Sequence, residues 1–70
     1  MKKVYVVHNR YVDSVMLMAF ASYIMDIDGV QNAECGMGTK QNIDVLIDMA
    51  YEVPADVTKN DVMLAVEAAS

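Results

Sequence analysis

Among its 70 residues the chain has one cysteine, one histidine, one proline and no tryptophan, and only five Lys or Arg against ten Asp or Glu. Each scarcity excludes something. A lone Cys35 forbids an intrachain disulfide, and one Cys with one His cannot supply a zinc ligand set at the usual spacing. A net charge of −5 leaves no basic stripe to displace counterions from phosphates, which argues against nucleic acid. No apolar stretch reaches the roughly 20 residues of a membrane span, and the longest lies between Asp13 and Asp26-Ile27-Asp28. No leader peptide is expected, because Lys2-Lys3 is followed only by Val4 to Val7 before His8-Asn9-Arg10. One unpaired thiol and seven oxidisable methionines suit a reducing, cytoplasmic setting.

What the chain has in excess is hydrocarbon. Its apolar fraction is 56% and its mean hydropathy +0.25, high for a domain so small that only roughly 60% of its surface can be buried. From Val15 to Met25 only Ser22 interrupts an apolar surface that runs right round the helix expected over Asp13 to Ile27. A helix without a polar face needs cover on every side. With no disulfide or metal to brace so small a domain, association is the economical source of that cover.

The remaining elements read as follows. Lys3 to His8, rich in Val and continuously apolar from Val4 to Val7, predicts a strand buried on both faces. Asp13 is a good N-cap, and Gly29 a good left-handed stop for the first helix. Val30 to Met37 alternates, with Ala33, Cys35 and Met37 on one face, as an edge strand should. Thr39 caps a second, amphipathic helix over Lys40 to Ala50, with Asn42 placed as a reciprocal capping partner. Tyr51 to Asn60, with Pro54, reads as a long loop before a third strand at Val62 to Val66 and a short tail. Strand, helix, strand, helix, strand with long crossovers predicts one α/β domain over residues 1–70, a small, mainly parallel three-stranded sheet with the first strand central. The alternative is a ferredoxin-like α+β sandwich, which needs a fourth strand within Tyr51 to Val57.

Three blocks carry a resemblance: Tyr11-Val12-Asp13-Ser14-Val15-Met16-Leu17-Met18, Met37-Gly38-Thr39-Lys40-Gln41-Asn42, and Asn60-Asp61. In that order, and over nearly the whole chain, they resemble the N-terminal domain of FdrA-like proteins. Such proteins are related through later domains to the succinyl-CoA synthetase type of acyl-CoA ligase and are associated with carbamoyl transfer. The resemblance implies a small domain without the CoA-binding and phosphohistidine domains, and an FdrA-like or carbamoyltransferase subunit as a possible partner.

Parallel pairing of the first two strands would bring His8, Asn9 and Arg10 toward Gly36 to Asn42, with both helix N-termini opening at the same edge. Arg10, Ser14, Gly38, Thr39, Lys40 and Asn42 are therefore the candidate contacts for a small anion such as a phosphate or carboxylate. The same residues also serve as ordinary caps and turns. Met16, Leu17, Phe20, Tyr23 and Ile24 are the candidate interface on the first helix, where thioethers suit surfaces that repack. There is no paired acid and base and no nucleophile with a base nearby, so neither catalysis by this chain alone nor a cofactor is expected. The function predicted is a non-catalytic module that assembles with copies of itself or a larger partner. The alternative is an anion-binding accessory domain of a carbamoyl- or acyl-transfer enzyme.

Overall fold

Both helices begin where a side-chain oxygen meets an early backbone amide. In the computed structural model, which describes residues 1–69, Asp13 accepts from the Met16 N–H at 3.0 Å and Thr39 Oγ1 from the Asn42 N–H at 3.3 Å. The elements in chain order are β1 (Lys2–Val7), α1 (Ser14–Met25), β2 (Val30–Met37), α2 (Lys40–Asp48) and β3 (Val62–Ala68). Helix α1 ends at Met25, before the predicted stop, and Gly29 at φ +91° turns the chain into β2 instead of closing the helix. Asn42 does not bond back to its cap; its Nδ2 donates to the Met37 carbonyl at 2.8 Å.

The sheet order is β1-β3-β2, with β3 antiparallel to both neighbours. The sheet is therefore not mainly parallel, and the central strand is the last one rather than the first. The cause lies after α2. That helix runs from the end of β2 back to the start of β1, where Lys2 Nζ donates to the Met49 carbonyl at 2.7 Å. A parallel β3 would have to start there. Instead residues 51–61 travel back to the opposite end, a reach well within the roughly 36 Å that eleven residues can span. There Gly38 N–H donates to the Asp61 carbonyl at 2.8 Å and Arg10 N–H to the Asn60 carbonyl at 2.9 Å. Entering from that end, β3 must run opposite to both β1 and β2. The 51–57 segment forms no strand, so the four-stranded ferredoxin-like sandwich is not realised and the architecture is a small α+β fold.

Alternation along the strands puts the helices on opposite faces. Met63 and Ala65 of β3 join Leu46 of α2 and Tyr51 in the main core, with Val4, Ile43, Val53 and Val57 packed around it. On the other face α1 sends Leu17 inward, with Ala21 and Ile24 half-buried one turn and two turns on. It lies over β2, where Ala33 is buried. Its cover does not reach β1. Tyr5 and Val7 consequently remain 52% and 51% exposed, and the first strand, expected to be covered on both sides, is covered on one.

Helix α2 closes in a motif that glycine favours. The Tyr51 N–H donates to the Leu46 carbonyl at 3.0 Å and the Ala50 N–H to the Ile47 carbonyl at 2.9 Å, which requires Ala50 to sit at φ +70°. A Cβ is disfavoured in that left-handed region, so Ala50→Gly should stabilise the protein by about 0.5–1 kcal/mol, net of the flexibility glycine adds to the unfolded chain. Chemical denaturation would check this, and a loss of stability would contradict the geometry.

Candidate functional site

Three features compete for a functional role: a polar knot at Asp61, a cleft between the helix N-termini, and an apolar groove beside α1.

The knot gathers the ends of all three strands. Asp61 is 1% exposed; its Oδ1 accepts from the Asn9 N–H at 2.9 Å and its Oδ2 from the Thr58 N–H at 2.9 Å. His8 Nδ1 stands 3.0 Å from the same Oδ2, while His8 Nε2 lies 3.6 Å from Asp56. The amides of Asn9 and Thr58, in that order, and then His8 outweigh the cost of burial and hold the Asp61 carboxyl at a pKa of about 2. Asn9, at φ +55°, bends the chain so that its amide points at this carboxylate. Gly38 has its place for a packing reason, since a Cβ there would collide with the Thr58 carbonyl and a Val57 methyl. Every acceptor site of Asp61 that the fold reaches is used to tie β1, β2 and the 58–61 turn together. His8 and Asp61 thus form a fastening, and neither lines the cleft or the groove.

The cleft is where the predicted anion contacts partly meet. Ser14, Thr39 and Asn42 line a cavity of about 400 Å³ together with Leu17, Met18 and Cys35. Arg10 is not among them; β3 stands between the ends of β1 and β2, and Arg10 lies on the far side against Val7 and Phe20. Lys40 is fully exposed and turned along its own helix to Asp44 at 2.9 Å, a pairing that raises its pKa. The three neutral contacts converge without the two cations. Cys35 borders the same cleft, and burial first, then neighbouring Glu34, pushes its thiol above the usual range, the opposite of an activated thiolate.

The groove is the most apolar of the three features. Val7, Val12, Phe20, Ile24, Val62 and Leu64 line a cavity of about 380 Å³ with Arg10 at its rim, and it continues past Arg10 and Phe20 into a second hollow toward Asp13 and Met16. It exists because α1 covers only the β2 half of its face. Of the predicted interface residues, Met16, Phe20 and Tyr23 are 46, 43 and 69% exposed, and Ile24 walls the groove; Leu17, 7% exposed, belongs to the core. Reading the sequence did not single out Asp61 or the groove. The Asn60-Asp61 pair ahead of an apolar strand is the one local sign of the first, and nothing local signals the second.

These features define a small α+β domain with a fastened sheet end and one half-covered face. Over residues 1–70 the chain matches the family described as "AllF, heavy metal-associated domain", and it belongs to that family. That finding replaces the FdrA-like resemblance. No curated protein and no solved structure matches it. The family description invites a test for a metal site. Soft metals are held by thiolates and thioethers, and the one thiol, Cys35, is shifted toward its neutral form. His8 lies at the knot and Cys35 at the cleft, and no three His, Cys, Asp or Glu side chains among the described residues form a group that could hold an ion. The thiolate, imidazole and carboxylate donors among the described residues therefore form no heavy-metal ligand set. Among the described residues, no helix is long and apolar enough to cross a membrane.

The fastening has a pH signature. Because the folded pKa of Asp61 is lowered from 3.8 to about 2, its contribution is complete above about pH 4 and lost as the pH falls toward 2. Asp61→Asn should lower the melting temperature at neutral pH and flatten its fall between those two pH values. Parallel melting profiles for the two proteins would show that the carboxylate is not what ties the strands.

Proposed function

We propose that this domain is a non-catalytic assembly module and that the outer face of α1 is its contact surface. The observation that carries the reading is that nine of the twelve residues of α1 are exposed although only Ser14 and Ser22 among the twelve are polar. Exposed apolar patches of this extent mark contact surfaces in proteins that remain soluble. The knot is consumed by structure, and neither His8 nor Asp61 lines the cleft or the groove, which supports a role without chemistry. The single thiol and the methionines exposed on this helix support a reducing, cytoplasmic setting.

The test uses substitutions that spare the core. Val15 and Tyr23 are 75% and 69% exposed, so Val15→Glu and Tyr23→Glu should leave the melting curve of the folded unit intact. Light scattering should show the unaltered chain above its 7.7 kDa monomer mass. The double variant should run as a monomer, its dissociation constant raised about thirtyfold or more, as for loss of an aromatic anchor. A soluble 7.7 kDa monomer that persists at hundreds of micromolar would overturn the reading.

The convergence of Ser14, Thr39 and Asn42 at two helix N-termini supports a second reading, weak binding of a phosphate or carboxylate metabolite in the cleft. Calorimetry against inorganic phosphate should then show heat that Thr39→Ala diminishes. Absence of heat at millimolar phosphate retires this reading.

A further inference from the structure

We infer that the occupant of the groove is the α1 helix of a second copy, in a face-to-face dimer whose two-fold axis runs along the helices. The inference rests on the assembly reading above and specifies its partner. Each copy has what the other lacks: α1 covers the β2 half of its own sheet, and the β1 half of that same face lies open beside it. Turning a second copy about an axis parallel to α1 sets its helix over that open half, at the side of the first helix. Two helices then lie between two sheets. Each α1 touches its own sheet through Leu17, Ala21 and Ile24, the neighbouring helix through the flank of Met16, Phe20 and Tyr23, and the other sheet through the back, where Val15, Ala19 and Ser22 fall at 3.6 residues per turn. This is the arrangement that calls for an all-round apolar helix.

Area agrees with a stable dimer. Tyr5, Phe20 and Tyr23 remain 52, 43 and 69% exposed, and such rings bury about 150–250 Å² each when fully covered. With Val7, Val15 and Met16 the open face offers about 600 Å² per partner, the lower end of the range for a standard interface.

Charge agrees as well, and it fixes direction. The open half of the sheet carries cations at both ends, Lys3 at the start of β1 and Arg10 at the groove rim past its end, whereas α1 carries acids at both ends, Asp13 and Asp26. Lys3 points to this face, since it alternates with Tyr5 and Val7 and its ammonium lies over the Tyr5 ring. With the helices parallel, Asp13 of the second copy comes to Arg10 and Asp26 of the second copy comes to Lys3. The reciprocal contacts follow by symmetry. No charged side chain lies within α1 itself, so a protein of net charge −5 meets its copy there without like-charge repulsion.

Sedimentation equilibrium on the 70-residue chain and its charge variants tests this. Lys3→Glu and Asp26→Lys should each raise the dimer dissociation constant about tenfold, since two symmetric contacts turn repulsive, and the double variant should return to within a few-fold of the unaltered chain. Asp26→Lys places a cation at a helix C-terminus, which favours the folded unit, so its weakened association would not come from unfolding. An assembly larger than two, singles without effect, or rescue of Asp26→Lys by Arg10→Glu instead of Lys3→Glu, the signature of antiparallel helices, would overturn the arrangement while leaving the assembly reading in place. A chain monomeric at every concentration would remove both.

Discussion

The direction of β3 is the constraint on which the rest of the molecule depends, and Asp61 fastens the end at which that strand begins. Its carboxylate and carbonyl take up backbone amides that follow β1, follow β2 and precede β3. Buried polar groups must find partners, and here one residue provides them for three chain segments at once. With the last strand made to start at that end, antiparallel pairing to both neighbours is the only outcome the ladder permits. Two strands that share a direction are thereby kept apart, and whatever lay at their ends is separated as well.

That separation explains the site. Arg10 and the Thr39 cap would be neighbours if β1 and β2 were adjacent; with β3 between them they open onto different hollows. The cleft retains hydroxyl and amide groups and loses its cations, Lys40 having a partner of its own on α2. The family to which the chain belongs is described by association with heavy metals, yet a single half-buried Cys35 and a His8 committed to the strand ends offer no ligand set.

The same topology makes the face on the α1 side lopsided. Three strands are wider than one helix, and α1 follows the β2 edge because its connection to that strand is short. The unclad half shows Tyr5 and Val7, and the helix flank beside it shows Met16, Phe20 and Tyr23. On the opposite face α2 and the 51–57 segment cover the centre of the sheet, which is why Met63 and Ala65 are fully buried there. One face holds the main core and the other is left half open.

Several features were legible in the sequence because local chemistry decides them. Asp13 and Thr39 announce the helix starts through their own oxygens, the alternation at Val30 to Met37 marks an edge strand, and the run from Val15 to Met25 shows that α1 cannot be satisfied by one sheet. Strand order and direction were not legible. Val4 to Val7 has the pattern of a strand covered twice, and only the path of residues 51–61 shows that β3 takes the centre and leaves β1 at the rim. Hydrophobic pattern reports how much surface a segment needs to bury, which is a property of the segment alone. What covers it depends on where a distant loop is fastened, and that was decided by hydrogen bonds between residues some fifty positions apart.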